Sequence, residues 1–293
     1  MLLLYFYERE GIEMTATHIS DSTILRNGVN MPWIGLGVYK AQDGNEVIRA
    51  IHAAVQAGYR SVDTASLYHN EAGVGEAIRE CGVPREEIFV TTKVWNSDQG
   101  YEETLRAFET SRKKLNMDYI DLYLIHWAVK EKYKDTWRAF EKLYNEGYVR
   151  AIGTSNFQIH HLQDIMADCT VPPMVNQVEL HPHLSQKELL RFCREQNIQM
   201  EAWSPLKRGG EMLEEPVLVE LAQKYGKSSA QIILRWHLQN GVVIIPKSVQ
   251  EHRIRENADL FGFELTAEEM ARIDGLNCNH RIGKDPDNFH FDF

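Results

Sequence analysis

Asp63 lies in the run YRSVDTA with Tyr68 shortly after it, Lys93 lies toward the end of IFVTTKVW, and His126 toward the end of IDLYLIHW. Each run begins with β-branched or aromatic residues and ends on an ionisable group, which a strand buried on both faces normally excludes. One such ending could be an accident of surface placement. Three in consecutive strands point to one shared polar site at the ends of parallel strands. The chemistry open to these side chains together is proton transfer to or from an oxygen. A free phenol has a pKa of ~10, too high for easy exchange near neutrality. An ammonium ~4 Å away, at an effective dielectric of ~20, is worth ~4 kcal/mol, or about three pKa units. Lys93 is therefore expected to bring the Tyr68 hydroxyl into a working range, with Asp63 keeping Lys93 charged and oriented. A neutral His126 imidazole can hydrogen-bond the reacting oxygen. Taken singly, each residue has a plainer reading: Asp63 as a helix N-cap, Tyr68 as packing, Lys93 as a solvated strand end, His126 as a satisfied core residue. Their joint placement favours function.

The elements that must hold these groups alternate along the chain. STILRNGVNMPWI reads as a hairpin with its turn at Asn27-Gly28. GLGV, YRSVDTA, IFVTTKVW, IDLYLIHW, VRAIGTSN, MVNQVEL, IQMEAWSP and VVIIPKS then read as eight strands. Helical spacing predicts helices over about 45–57, 71–81, 101–115, 132–146, 158–167, 186–196, 217–225, 229–239 and 251–258. The continuous apolar runs suit strands covered on both faces. Eight βα units without a linker predict an α/β chain folded as a closed (β/α)8 TIM barrel, its bottom closed by the N-terminal β-hairpin.

Composition sets the outer bounds. The chain has 293 residues, enough for one barrel of about 250. Residues 14–293 are expected to form that one domain, with 1–13 a disordered or artefactual extension. The apolar stretch from Leu2 to Tyr7 is far shorter than the ~20 residues of a membrane span, and it lacks the flanks of a signal peptide. A formal charge of −10 argues against nucleic acid or an anionic membrane as partner. Cys81, Cys169, Cys193 and Cys278 are widely spaced with no CxxC pair, so a reduced, cytoplasmic protein is expected. Neither GVGEAI at Gly73 nor GLGVYK at Gly35 makes a Rossmann fingerprint.

The segments DTASLYHNE (63–71), TKVW, LIHW, GTSN, NQVE and IPKSVQEHRIREN (245–257) resemble the motif series of the aldo-keto reductases, in order and spacing. The resemblance runs from about Thr23 to the C-terminus and is nearest the short-loop bacterial members. It implies a barrel that binds NADPH in extended form and reduces a carbonyl, or runs the reverse oxidation, without a metal. Asp63, Tyr68, Lys93 and His126 are then the catalytic positions. Ser155, Asn156 and Gln177 would meet the nicotinamide carboxamide, and Trp203 would stack on its ring where many relatives carry tyrosine. Ser204 and Leu206 would follow the pyrophosphate. Lys247, Ser248, Val249 and Arg253 would take the adenosine-phosphate end, and Glu256 and Asn257 the adenine. A 2′-phosphate is a dianion suited to the paired donors of Arg253 and the point charge of Lys247, which favours NADPH over NADH. A solvated helix face is the alternative for EHRIRE, although Lys247 ends an apolar strand.

Tyr39, Trp95 and Trp127, with His126, are expected to form the substrate pocket. Ala128 stands where relatives commonly have proline. Short loops and the short tail HRIGKDPDNFHFDF imply an open pocket for small aldehydes or dicarbonyls such as glyoxal and methylglyoxal. A small-molecule carbonyl and a monomeric chain are the expected partner and state. Two other readings compete. A metal-dependent barrel hydrolase could draw on Asp63, His126, His181 and His183. A non-catalytic NADPH-binding regulatory barrel would keep the fold without turnover.

Overall fold

The computed structural model describes residues 16–290, and the expected extension at 1–13 lies outside them. β1 (Ser22–Ile24) and β2 (Asn30–Pro32) pair antiparallel around a turn in which Gly28 takes φ 86°. Thr23 Oγ1 donates to Gln199 Oε1 at 3.0 Å, and Asn27 Nδ2 donates to the Arg150 carbonyl at 2.9 Å. Gln199 and Arg150 lie at the beginnings of barrel strands, so these bonds fix the hairpin across the barrel's N-terminal end, as expected.

The barrel strands are β3 (Leu36–Gly37), β4 (Ser61–Asp63), β5 (Phe89–Val94), β6 (Ile120–Ile125), β7 (Val149–Ser155), β8 (Val175–Glu179), β9 (Gln199–Trp203) and β10 (Val243–Ile244). They pair in parallel, in sequence order. Single bridges Ile34↔Ile244 and Gly37↔Lys247 close the ring. Every residue of β5 and β6 is buried, which matches continuous apolar runs covered on both faces. At the seam, a Cβ on Gly37 would lie 2.8 Å from the Ile245 carbonyl oxygen, so only glycine allows the close approach. The last strand is regular over two residues and not along all of VVIIPKS, because Pro246 has no N–H to offer a ladder.

Helices α1 (Asn45–Gln56), α2 (Glu71–Glu80), α3 (Tyr101–Leu115), α4 (Tyr133–Asn145), α5 (Ile159–Asp168) and α6 (Lys187–Glu195) follow strands β3 to β8 in turn. Two helices, α7 (Pro216–Tyr225) and α8 (Ser229–Gln239), separate β9 from β10. α9 (Glu251–Ala258) follows β10. α1 turns an apolar stripe of Val47, Ala50, Ile51 and Ala54 inward. A further helix, α10 (Ala267–Asp274), was not expected from periodicity. Its start was legible, since Thr266 and Glu269 form a reciprocal capping box. Among the described residues no helix is long and apolar enough to cross a membrane.

Candidate active site

The carboxyl ends of the strands bring the first four candidates together. Asp63 ends β4, Lys93 lies one residue before the end of β5, and His126 directly follows β6. A 3₁₀ turn over Ser66–Tyr68 carries Tyr68 back over the barrel mouth. The Lys93 ammonium uses its three protons locally. It donates to Asp63 Oδ1 at 2.7 Å, to the Thr64 carbonyl at 2.9 Å and to Tyr68 Oη at 3.4 Å. Lys93 is wholly buried and Asp63 is 2% exposed, so neither charge can be left to solvent. The His126 ring sits edge-on to Tyr68 at 5.9 Å between centroids and to Trp95 at 5.0 Å.

Burial is the largest influence on Lys93 and opposes its charge. Attraction to Asp63, Tyr68 and Glu201 outweighs it and holds the ammonium above the ordinary lysine range. Burial, reinforced by the Lys93 charge, holds His126 well below the ordinary imidazole range, so it is neutral. Its Nδ1 is buried without a partner among the described residues. A buried orphan N–H is far rarer than an orphan lone pair, which puts the ring proton on Nε2, where it can be donated. Tyr68 corrects the sequence reading. Burial pushes it up to about 12 although Lys93 pulls it down, so the lysine alone does not bring the phenol into a neutral working range in the free protein. Tyr68 stays half-buried on the wall of an open cleft, and water there tempers this upward push.

That cleft has a volume of ≈ 1250 Å³. Asp63, Tyr68, His126, Tyr39, Trp95 and Trp127 line it, as do Ser155, Asn156, Gln177, Trp203, Ser204, Leu206, Lys247, Ser248, Val249, Arg253, Glu256 and Asn257. All the expected cofactor and substrate residues therefore share one wall system, with Lys93 buried out of reach of it. Two of them are less free than expected. The Asn156 amide donates to the His126 carbonyl at 3.0 Å and to Ser155 Oγ at 3.2 Å, and its oxygen accepts from the Trp203 indole at 2.8 Å. Gln177 Nε2 donates to Asp63 Oδ2 at 2.7 Å and Glu201 Oε2 at 2.8 Å, which leaves its carbonyl oxygen to meet a carboxamide N–H. A dinucleotide with a 2′-phosphate fits this donor set. Lys247 and Arg253 have no side-chain partner among the described residues, whereas Arg255 is paired with Glu251 at 2.9 Å.

Other residues were missed in the sequence. Lys40, Arg208 and Lys284 add cations to the cleft wall. Glu201, in β9, is a buried carboxyl behind Gln177. The C-terminal segment folds back across the mouth. Buried Glu179 accepts from the Ile282 and Gly283 amides at 2.6 and 2.8 Å and from His181 Nε2 at 3.0 Å. A Cβ on Gly283 would lie 2.5 Å from the Trp203 ring, so glycine lets the tail lie against that indole. Phe289 then packs at 5.0 Å from Trp127.

The metal reading loses its ligands to other partners. His181 faces Glu179, and His183 lies between Glu215 at 2.8 Å and Lys207 at 2.8 Å. Among the described residues the three that approach ligand spacing are His160, His161 and Asp287. Nδ1 of His161 accepts the Gln158 N–H at 3.1 Å, which leaves the ring proton on Nε2, the atom nearest Asp287, and unfits it as a ligand.

A parallel barrel with a tyrosine–lysine–aspartate–histidine cluster at its strand ends describes a class of barrel oxidoreductase, and comparison with known proteins agrees. Residues 33–278 match the model of the Aldo/keto reductase family. A glyoxal reductase of Bacillus subtilis (strain 168) is 59% identical over 94% of this chain and 99% of its own. An aldo-keto reductase from a Medee basin deep-sea metagenome library superposes with a TM-score of 0.90 at 46% identity, covering 92% of this chain and 100% of that one. The Bombyx mori aldo-keto reductase solved with NADP superposes with a TM-score of 0.86 at 37% identity, over 93% and 97%. The chain belongs to the aldo/keto reductase family.

Proposed function

We propose that this chain reduces small aldehydes and dicarbonyls, glyoxal and methylglyoxal among them, to alcohols with NADPH, and that Tyr68 is the proton donor. The observation that carries this reading is the Tyr68 hydroxyl, 3.4 Å from the Lys93 ammonium and on the same cleft wall as a neutral His126. His126 Nε2–H holds the carbonyl oxygen and directs it toward Tyr68. NADPH, when bound, supplies the hydride. As charge develops on the oxygen, Tyr68 gives up its proton, and Lys93 stabilises the tyrosinate left behind. Asp63 keeps the lysine in place. The high proton affinity of Tyr68 suits the reductive direction, because the acid is loaded at neutral pH.

Ser155 and Gln177 orient the carboxamide, Trp203 supplies the stacking face, and Lys247 and Arg253 hold the 2′-phosphate. Trp95, Trp127 and Tyr39 leave an open aromatic mouth suited to short substrates, and a relative named glyoxal reductase supports that size class. All these groups come from one chain, so a monomer suffices and residues 14–293 form one catalytic unit. The test is NADPH oxidation with a panel of aldehydes and dicarbonyls. Carbonyl-dependent turnover that is fastest for short dicarbonyls is expected. NADPH binding without turnover of any carbonyl would instead establish the non-catalytic reading.

A further inference from the structure

We propose that Glu201 is a positioning residue for this reaction: through the Gln177 amide it fixes Asp63, and by the charge it carries it sets how readily Tyr68 releases its proton. The inference rests on the proposed reductive chemistry. Glu201 lies mid-strand in β9 with its side chain wholly buried. Gln177 is its register partner in β8, and one nitrogen of that amide bridges Glu201 Oε2 and Asp63 Oδ2 at 2.8 and 2.7 Å. The other oxygen, Oε1, is buried with no partner among the described residues. Two carboxyl groups therefore share one amide donor in the barrel interior, and Lys93 bonds to Asp63 and not to Glu201.

The groups that act on Glu201 come from three strands: Asp63 of β4, Lys93 of β5 and Gln177 of β8. Its other neighbour, β10, places Val243 opposite it and adds no charge there. An anion buried here loses its hydration, and a second carboxylate beside Asp63 adds repulsion. Burial first, and the Asp63 charge second, raise Glu201 to about 8. Below that pH the neutral acid leaves the Asp63–Lys93 pair as the main charge under Tyr68. Above it, the new anion strengthens the hold on the Lys93 ammonium, and through that shared lysine it opposes formation of a tyrosinate. Glu201 thereby keeps the proton on Tyr68 as the medium turns alkaline.

Two measurements test this. Infrared titration of the free wild-type protein should show the carbonyl stretch of a neutral carboxylic acid at pH ~7 that disappears as the pH passes about 8 and is missing in Glu201→Gln. The pH profile of aldehyde reduction should then show its alkaline limb at lower pH in Glu201→Gln. A shift of roughly half to one unit makes the variant ~3- to 10-fold slower than wild type on the limb, relative to their neutral-pH rates. A purely structural role would scale the rate at every pH and leave the limb in place. Absence of the infrared band, or superimposable limbs, overturns the proposal. The band is read without a variant and without turnover, so it survives a misfolded mutant. It also separates failure of this inference from a chain that reduces no carbonyl.

Discussion

Replacing Arg253 by alanine separates a phosphate clamp from ordinary helix charge, because α9 contains its own control. Arg253 and Arg255 are two residues apart on one helix, and at 3.6 residues per turn they face nearly opposite directions. Arg253 lines the cleft with Lys247, while Arg255 pairs with Glu251 at 2.9 Å and is absent from the cleft wall. A hydrogen bond to a charged group contributes ~1.5–3 kcal/mol, or roughly 10- to 150-fold in affinity. Arg253 is solvent-exposed, so screening places the loss toward the lower end, roughly 10- to 30-fold in the KM for NADPH. NADH carries no 2′-phosphate and should change by less than ~2-fold. Arg255→Ala should leave both cofactors alone and cost ~0.3–0.5 kcal/mol of helix stability. Raising the salt concentration should shrink the Arg253 effect. Steady-state kinetics with both nucleotides, and equilibrium titrations of cofactor binding, measure all of this. Equal losses for NADH and NADPH, or an Arg255→Ala defect of the same size, would refute the clamp.

Tyr68→Phe should lower kcat by ~100-fold or more while NADPH binding stays nearly unchanged, and near-normal turnover would remove Tyr68 from the mechanism. Lys93→Met should cost stability as well as rate, because it strands the buried Asp63 carboxylate. A loss of ~3–5 kcal/mol in denaturant unfolding is expected, and a loss under ~1 kcal/mol would show that the pair is dispensable to the fold. Glu201 makes stability depend on pH. Its folded-state value of about 8 lies above the ordinary carboxyl range, so its contribution is fully present below that range and is lost as pH rises through about 8. Unfolding free energy should therefore fall across that window with a slope of up to ~1.4 kcal/mol per pH unit relative to Glu201→Gln, and parallel curves would contradict the assignment.

The four clustered residues were legible because burying an ionisable group at the end of an apolar run is costly, and the cost is visible locally. Lys93 in FVTTKV has no bland explanation once the strand is buried at every position. Glu201 in QMEAW carries the same signal at mid-strand, away from the strand ends where the other site residues announce themselves. Partners are a different matter. Nothing in the sequence says that Gln177 turns its amide toward two carboxyl groups, because that follows from the stagger of β4, β8 and β9 around a closed ring. The seam was equally silent, with two-residue strands whose closure rests on Gly37 meeting Ile245. The tail was read as merely short, whereas its Ile282 and Gly283 amides find Glu179 more than a hundred residues earlier in the chain.

The same asymmetry between local signals and partners governs the proton affinity of Tyr68. Lys93 and Tyr68 are in contact at 3.4 Å, closer than the ~4 Å at which a lone ammonium would be worth about three pKa units. Pairwise attraction alone nevertheless gave the wrong sign for the phenol, because burial acts on it first and Asp63 opposes its ionisation. A buried cation shared between an anion and a phenol does not lower the phenol as a lone cation would. Part of its field is already spent on the carboxylate, and Glu201 adds to that load once it ionises. The proton affinity of Tyr68 is thus a property of the whole cluster, and it moves when any member changes charge.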